Sequence, residues 1–321
     1  MKPYLLAGSI VLYLLGAFPG PVQAANLAFG GASTAGVYFQ VARHLCRLLE
    51  LEAEGYRCEG LATQGSVYNI NALDTGELDF AVAQSDRAWQ ARHGEADWSD
   101  TPVEGLRALF AMHPETVMLV TRADTDIHSV EDLRGRTVNI GNPGSGQRRN
   151  ALDVLTLHDI DPERDITARH VEQTDASRAL VEQHLDAFFY TVGNPAAAIL
   201  EPASATALRM IPLDSDTVAE FVADSPYYVL SEIPGGLYPG ITDDVPTFAV
   251  NATVVTMASM DEETVYALTR AAFERLEDLR SAHEAFARLE TGAMVEGVSI
   301  DLHPGAWRYY EERGWVEPEG D

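Results

Sequence analysis

The chain has 321 residues, of which 46% are hydrophobic, and this is enough apolar material for one large core or two moderate ones. Its formal net charge of -27 argues against nucleic acid and anionic membrane surfaces as partners. Lys2 is the only lysine. A Walker A lysine, a lysine Schiff base and a lysine general base are therefore excluded from the chain beyond its first two residues.

The first 24 residues have the pattern of an export signal. Lys2 supplies the positive charge, residues 5–18 form an apolar run, and Val22-Gln23-Ala24 has the small-residue pattern of a cleavage site. The alternative, an uncleaved membrane anchor, is disfavoured because the run is short and is followed by Pro19, Gly20 and Pro21. The sequence predicts cleavage after Ala24 and a periplasmic location.

The two cysteines, Cys46 and Cys58, would lie in an oxidising compartment if the chain is exported. Their spacing makes a short-loop disulfide plausible, with two unpaired core cysteines as the alternative. A metal pair is less favoured, because no other His or Cys stands at ligand spacing. No metal or cofactor is expected.

Strands and helices alternate along the chain in the manner of an α/β fold. After the first strand and a helix from Val37, strands are predicted at 58–63, 78–83, 107–112, 116–121, 137–140, 166–170, 187–190, 208–211 and 247–257. Further helices are predicted at 66–73, 147–157, 177–184 and, for the most part, 262–289. A capping box is predicted at Ser129-Val130-Glu131-Asp132.

Two glycine-rich turns, at residues 29–36 and 139–147, each follow a strand and lead into a helix. Such a turn points several backbone N–H groups and a helix N-terminus at one place, which favours a small anion without any basic side chain. The strand-and-helix pattern is interrupted near residue 120 and resumes near residue 250. This arrangement is typical of a clamshell binding protein, with one lobe at 25–120 plus 250–321 and the other at 121–249.

Four segments in the same order resemble one known family: GGASTAGVYFQVARHLCRLL, TQGSVYNINALDTGELDFAVAQSD, VEDLRGRTVNIGNPGSGQR and the late HPGA at residues 303–306. This is the TAXI family of solute receptors that serve tripartite ATP-independent periplasmic (TRAP) transporters. The resemblance covers about residues 26–313. It implies a type II periplasmic binding protein fold, with two α/β lobes joined by two hinge segments. It also implies a cleft ligand such as glutamate, another amino acid or a dicarboxylate, a TRAP-type membrane permease as partner and a monomeric receptor. The cysteine pair fits a pattern seen in part of that family.

In the first lobe, the turns and strand ends supply polar candidates for ligand contact. These candidates are Gly31, Ser33, Thr34, Ser66, Asn69, Gln84, Ser85 and Asp86. The simpler interpretation of Ser33, Thr34 and Ser66 is helix N-capping, which leaves other N–H groups free for an anion. Asp86 is also a typical cap residue, although its carboxylate is suited to the amino group of an amino acid.

In the second lobe, the turn at 139–147 and a later strand end supply the other candidates. These are Asn142, Ser145, Gly146, Gln147, Arg148, Tyr190 and Gly193. Arg148 and Arg149 are by default surface residues, although one of them is suited to pair with a carboxylate. Tyr190 is explained equally well by packing, and His303 is expected to be satisfied within its own turn.

Two other functions compete with a transport receptor. Residues 31–35 come close to the nucleophile elbow of α/β hydrolases, with Ser33 as nucleophile, but Ala35 replaces the final glycine. None of the nine histidines lies in a recognisable catalytic motif, so the sequence predicts that the protein is not an enzyme. A ligand-sensing module without transport is the remaining alternative.

Overall fold

The structure, a computed structural model, describes residues 24–317. The predicted export signal lies outside the described residues, apart from Ala24. None of the helices in the described range has the length and apolar character that a bilayer crossing needs.

The strands all belong to one mixed sheet. They are β1 Ala25–Gly30, β2 Tyr56–Leu61, β3 Phe80–Gln84, β4 Leu106–Arg122, β5 Thr137–Asn139, β6 Thr167–Arg169, β7 Ala187–Val192, β8 Leu208–Ile211, β9 Val229–Ile233 and β10 Val245–Met257. The α-helices are α1 Val37–Glu52, α2 Ser66–Asp74, α3 Ser85–His93, α4 Gly146–Leu157, α5 Gln173–Val181, α6 Ala197–Ala205, α7 Asp216–Ala223, α8 Glu262–Glu274, α9 Leu276–Ala282, α10 Thr291–Glu296 and α11 Pro304–Arg313.

The strand order is β2-β1-β3-β10-β4-β7-β5-β6, with β8 beside β4 and β9 beside β10. The outer strands on each side pair in parallel, β1 with β2 and β3, and β5 with β6 and β7. The two central strands are antiparallel to their neighbours. Parallel strands joined by helices therefore form one lobe on each side of the central pair: lobe I around β1–β3 and lobe II around β5–β7.

The long strands β4 and β10 connect the two lobes. The first part of β4 pairs with β10, whereas its last residues, from Thr116, pair with β7 and β8. In β10, Ala252 to Thr256 pair with β3 of lobe I, and Val245 to Ala249 pair with β9. The strand β4 pairs with β7 from Thr116, and β10 exchanges β9 for β3 between Ala249 and Ala252, so this is where the chain passes between the lobes.

The helix α1 forms because its apolar residues recur at helical spacing and face the sheet. Val41, Leu45 and Leu49 are fully buried in the core cluster that also contains Phe29 and Phe80. The predicted disulfide is confirmed, since Cys46 on α1 is bonded to Cys58 on β2. It ties the C-terminal half of the helix to the edge strand of the sheet.

Several predicted elements differ from the structure. The strands predicted at 107–112 and 116–121 are one continuous strand, β4. The helix predicted at 262–289 is broken at Arg275 and again at His283. The capping box is only half formed: the Asp132 carboxylate accepts hydrogen bonds from the backbone N–H groups of His128 and Ser129, while no side chain caps the short 3-10 helix that follows.

Candidate functional site

A cavity lies between the two lobes, and both glycine-rich turns open onto it. Its lining comprises Ala32, Ser33, Gly36, Val37, Tyr38, Gln64, Gly65, Ser66, Gln84, Glu115, Asn142, Ser145, Gly146, Gln147, Glu172, Gln173, Tyr190, Thr191 and Val192. The cavity volume is about 80 Å³. One water needs about 10–15 Å³ of cavity volume, so a small solute of several heavy atoms fits.

The first turns of four helices meet at this cavity. Val37 and Tyr38 begin α1, Ser66 begins α2, Gly146 and Gln147 begin α4, and Gln173 begins α5. The first N–H groups of a helix have no acceptor within the helix, and the helix dipole makes its N-terminus partly positive. In α2 the amides of Val67 and Tyr68 are already bound to the Gly144 carbonyl, so it is the convergence of the other three helix starts that favours a negatively charged group in the cavity.

The turn before α4 is held by its own polar side chains. The Ser145 hydroxyl donates to the Asn142 carbonyl at 2.7 Å and accepts from the Arg148 amide at 3.3 Å, so Ser145 is the N-cap of α4. Gly141 and Gly144 have φ of +92° and +81°, in the left-handed region that glycine adopts readily. The side-chain amide of Asn142 donates to the Gln64 carbonyl of lobe I.

The turn before α1 differs from the predicted arrangement. The helix begins at Val37 with Gly36 as its N-cap, and no side chain caps it. The capping roles predicted for Ser33 and Thr34 are therefore wrong, as is that of Ser66, which follows the N-cap Gly65. Ser33 lines the cavity, but Thr34 is exposed and does not.

The lobes are in direct contact around the cavity. The Gly144 carbonyl of lobe II accepts hydrogen bonds from the amides of Val67 and Tyr68, at 3.0 and 3.1 Å, in the first turn of α2. A methyl group at Gly146 would lie 1.8 Å from Oε1 of Gln84. A larger residue there would require the Gln84 side chain to move or α4 to withdraw from the end of β3. The structure is thus a closed form of the two lobes.

Glu115, in the strand β4 that connects the lobes, brings a buried carboxyl group to the cavity. Its side chain is 3% exposed, and Oε2 accepts a 2.6 Å hydrogen bond from the Tyr38 hydroxyl. Burial raises the pKa of Glu115 to about 8. The ring of His113 is 3.9 Å from Oε1, but burial lowers the pKa of His113 to about 3. His113 is therefore neutral and forms no ion pair with Glu115.

Two glutamine side chains of the lining have unused hydrogen-bonding atoms. Oε1 of Gln84 and both Oε1 and Nε2 of Gln173 are buried without a hydrogen-bond partner. The residues are only 3% and 6% exposed. Such groups cost stability unless something satisfies them. Because both residues line the cavity, a polar solute there is the natural partner.

The structure brings eight of the predicted ligand contacts to the cavity: Ser33, Ser66, Gln84, Asn142, Ser145, Gly146, Gln147 and Tyr190. The other seven, Gly31, Thr34, Asn69, Ser85, Asp86, Arg148 and Gly193, are not part of its lining. Asn69 is fully buried and donates to the carbonyls of Gly31 and Val82, so it links the end of β1 to the middle of β3. The Arg148 side chain contacts His170, and His113 fills the space beside Gly193.

Asp86 belongs to a buried network that joins the lobes. Its Oδ2 accepts hydrogen bonds from Arg87, from Asn150 on α4 and from the Tyr228 hydroxyl, at 2.8, 2.7 and 2.8 Å. Arg87 is fully buried and also lies 3.4 Å from Asp153 of α4. From the sequence, the Asp86 carboxylate is suited to bind the amino group of a ligand. In the structure it is already occupied by these hydrogen bonds within the protein.

Glu115 is the most important lining residue that was not predicted from the sequence. Other polar lining residues that were not predicted include Tyr38, Gln64, Glu172 and Gln173. A signal for Glu115 existed, because His113-Pro114-Glu115 separates two apolar strand-forming runs. None of the described residues that line the cavity with Ser33 is a histidine. The expectation that His303 is satisfied within its turn is met only in part: Nδ1 accepts from the Gly305 amide, whereas Nε2 is buried without a hydrogen-bond partner.

Solved structures share this fold at low sequence identity. A structure from work on glutathione import through GshT and the cystine importer TcyBC of Streptococcus mutans is 10% identical, with 88% of this chain and 100% of that chain covered and a TM-score of 0.52. A Xanthomonas citri protein bound to ATP is 14% identical over 92% and 100% of the chains, with a TM-score of 0.50. The alkanesulfonate-binding protein of Xanthomonas axonopodis pv. citri is 16% identical over 90% and 84%, with a TM-score of 0.47.

The predicted fold class is confirmed: this is the two-lobed α/β fold of periplasmic binding proteins. At 10–14% identity these likenesses establish the fold alone. The family model extends over residues 29–314, from the end of β1 to the residue after α11. The chain belongs to the NMT1-like family.

Proposed function

We propose that this protein is an extracytoplasmic solute receptor and not an enzyme. It captures a small organic anion, a glutamate-like amino acid or a dicarboxylate, between its two lobes. It then delivers the ligand to a TRAP-type membrane permease, as its resemblance to the TAXI receptors suggests. In this proposal the receptor is periplasmic and monomeric, and its signal peptide is removed after Ala24.

One feature of the cavity supports this function most: the first turns of α1, α4 and α5 line one space between the lobes. Partly positive helix ends suit a carboxylate, and the closed contacts around them suit a solute that is enclosed on binding. A ligand that contacts both lobes stabilises the closed form over an open one, and this difference is what drives closure.

A thermal-shift screen with organic and amino acids tests the binding function. A ligand that binds only the folded protein raises its melting temperature, so at least one acid of the glutamate or dicarboxylate class is expected to raise it in a concentration-dependent way. Calorimetry then gives the affinity. If no acid in the panel binds, the receptor function is wrong.

The variant Gln173→Leu ties this binding to the cavity. It removes a buried amide without hydrogen-bond partners, so the ligand-free variant is expected to be at least as stable as the wild type. Its affinity for the acid found in the screen is expected to fall at least tenfold. Gln40→Leu, in α1 but outside the lining, is the control and is expected to bind normally. Equal binding by both variants would place the ligand elsewhere.

Delivery to a permease needs a separate experiment. Uptake of the acid should be lost in a strain without the receptor and restored by the full chain. It should also persist when ATP is depleted but an ion gradient is kept. Uptake that depends on ATP would contradict the assignment to a TRAP-type permease while leaving the binding function intact.

A further inference from the structure

The cavity has acidic but no basic side chains in its lining. Glu115 and Glu172 line it, whereas no Arg, Lys or His does. The two arginines in the first turn of α4 are engaged elsewhere, Arg148 with His170 and Arg149 with Asp97 at 3.8 Å. A plain dicarboxylate would therefore meet helix N-termini on one side and a buried carboxyl group on another, without a cation of the protein between them.

The Glu115 carboxyl group is held on one oxygen only. Oε2 accepts from the Tyr38 hydroxyl at 2.6 Å, while the nearest ring nitrogen to Oε1, Nε2 of His113, is 3.9 Å away and beyond hydrogen-bonding distance. Gln84, another lining residue, presents a second buried oxygen, Oε1, without a hydrogen-bond partner. Oε1 of Glu115 and Oε1 of Gln84 thus have no hydrogen-bond partner in the described part of the protein, and a ligand group that satisfies them is separate from one that satisfies the helix N-termini.

None of the charged or titratable groups around Glu115 supplies the missing cation. Tyr38 faces it from α1, Tyr190 from β7, and His113 from its own strand. Asp86 of α3 acts on it as a further negative charge and is itself paired with the buried Arg87. Burial raises the pKa of Glu115 to about 8, as expected for a carboxyl group that has no counter-ion in the ligand-free protein.

We propose that Glu115, positioned by Tyr38 and assisted by Oε1 of Gln84, is a cation subsite that binds a protonated amino group of the ligand. The inference rests on the proposed function and narrows its ligand to zwitterions, in which a carboxylate lies at the helix N-termini and an amino group lies at Glu115. The sequence suggested Asp86 as the partner of a ligand amino group, but the Asp86 carboxylate already accepts hydrogen bonds from Arg87, Asn150 and Tyr228. In this proposal Glu115 binds the amino group instead.

Matched ligand pairs test this subsite. L-Glutamate and glutarate, and likewise L-aspartate and succinate, have the same carbon chain and two carboxylates but differ in the amino group. Of the two amino acids, the wild type will bind one more tightly. Calorimetry at pH 7 is expected to show that this amino acid binds at least tenfold more tightly than the dicarboxylate with the same carbon chain. Glu115→Gln is expected to reduce that preference to less than threefold. The control Glu59→Gln, on the exposed edge strand β2, is expected to keep it.

A second measurement needs no variant. An amino group is already protonated at pH 7, so pairing with Glu115 requires the neutral carboxyl group to release its proton to the buffer. With a pKa of about 8, about 0.9 proton should be released per amino acid bound at pH 7. Glutarate or succinate should release almost none. Calorimetry in buffers of different ionisation enthalpy measures this number.

The outcomes separate the subsite from the receptor function. Tighter binding of the plain dicarboxylate, or an undiminished amino-acid preference in Glu115→Gln, would overturn the role of Glu115 while the receptor function stands. If Glu115→Gln does not fold, the ligand pairs on the wild type decide, and binding of each plain dicarboxylate as tightly as its amino acid would overturn the role. Failure of all four acids to bind would contradict the receptor function for this ligand class, and the subsite with it.

Discussion

Glu115 shows how one buried residue links the stability of this protein to pH. The folded state holds the proton of this carboxyl group up to about pH 8, whereas an exposed carboxyl group loses it near pH 4.5. Between these values the folded state binds more protons than the unfolded state. The contribution of Glu115 to the free energy of unfolding therefore falls as pH rises from about 4.5 to about 8, and it is level above that.

Glu115→Gln should remove this dependence in the ligand-free protein. The amide can still accept from Tyr38 but is never charged, so the variant is expected to exceed the wild type in stability by a few kcal/mol at most at pH 9. The difference is expected to shrink toward zero as pH approaches 5. Denaturant unfolding at both pH values measures it, with Glu59→Gln as the exposed control. A difference that is the same at both pH values would show that Glu115 is not protonated in the folded state.

The residues of the site differ in how far the sequence could reveal them. Ser145, Gly146 and Gln147 belong to a local motif, in which a strand, glycines and a helix start follow one another, and this motif is visible in the sequence. Glu115 became a candidate only when β4 and α1 were placed side by side, because its partner Tyr38 is 77 positions away in the chain. Asp86 was ambiguous for the same reason, since two of its partners, Asn150 and Tyr228, come from the other side of the central strands.

At the scale of elements, a buried ionic network joins α3 to α4. Arg87 is fully buried, and its charge is compensated by Asp86 and, at 3.4 Å, by Asp153. Removing one partner of a buried ion pair leaves an uncompensated charge, which costs far more than the pair contributes. The network therefore makes the position of α3 against α4 sensitive to single substitutions.

Asp86→Ala is expected to lower the free energy of unfolding by about 3–5 kcal/mol. Asp301→Ala is the matched control, because it also removes an aspartate from an arginine, Arg92, but that pair is solvent-exposed. Its cost is expected to be at most about 1 kcal/mol. Chemical denaturation of both variants measures the contrast. Similar costs for both would show that Arg87 finds a new partner or water when Asp86 is removed.

The disulfide acts on α1 at a distance from the site. Cys46 and Cys58 enclose a short loop, and removal of such a bond typically costs about 2–4 kcal/mol. The double variant Cys46→Ala/Cys58→Ala is expected to be destabilised by this amount. It should bind ligand within about twofold of the wild type, because the cavity contacts only Val37 and Tyr38 at the other end of α1. Reductant should lower the stability of the wild type but not that of the double variant.

Element predictions succeeded where local patterns agree with the tertiary environment. The helix predicted at 147–157 is α4, one residue longer, and the strand predicted at 208–211 is β8. The element predictions failed where contacts between distant parts of the chain determine the bounds of a strand or helix. The two strands predicted on either side of residues 113–115 are one strand, because the first flank and residues 114–116 pair with β10 while the second flank pairs with β7 and β8. The apolar pattern after Glu262 did not reveal the breaks at Arg275 and His283.

At the scale of the whole molecule, closure depends on how closely α4 can approach lobe I. The carbonyl of Gly144 caps the first turn of α2, and Gly146 packs against the side chains of Gln84 and Ser66. These contacts join the lobes only when the cleft is shut. Their geometry allows closure to be altered without disturbing the interior of either lobe.

Gly146→Ala is expected to oppose closure while sparing the fold. The added methyl group would lie 1.8 Å from Oε1 and 2.6 Å from Cδ of Gln84, so the lobes must stay further apart or the glutamine must move out of the cavity. Alanine is the better helix former by about 1 kcal/mol in a helix interior, so α4 itself should not be weakened. The variant should therefore retain its melting temperature without ligand but lose at least tenfold in ligand affinity.

Small-angle scattering and calorimetry separate these effects. The wild type is expected to contract when it binds an acid from the thermal-shift screen, and Gly146→Ala is expected to contract less at a saturating concentration. Gly292→Ala provides the control, because a methyl group there meets nothing within 4 Å and should leave both contraction and affinity unchanged. If Gly146→Ala binds and contracts like the wild type, the Gln84 side chain can move aside without a loss of ligand affinity. Ligand binding would then not require the close approach of α4 to β3.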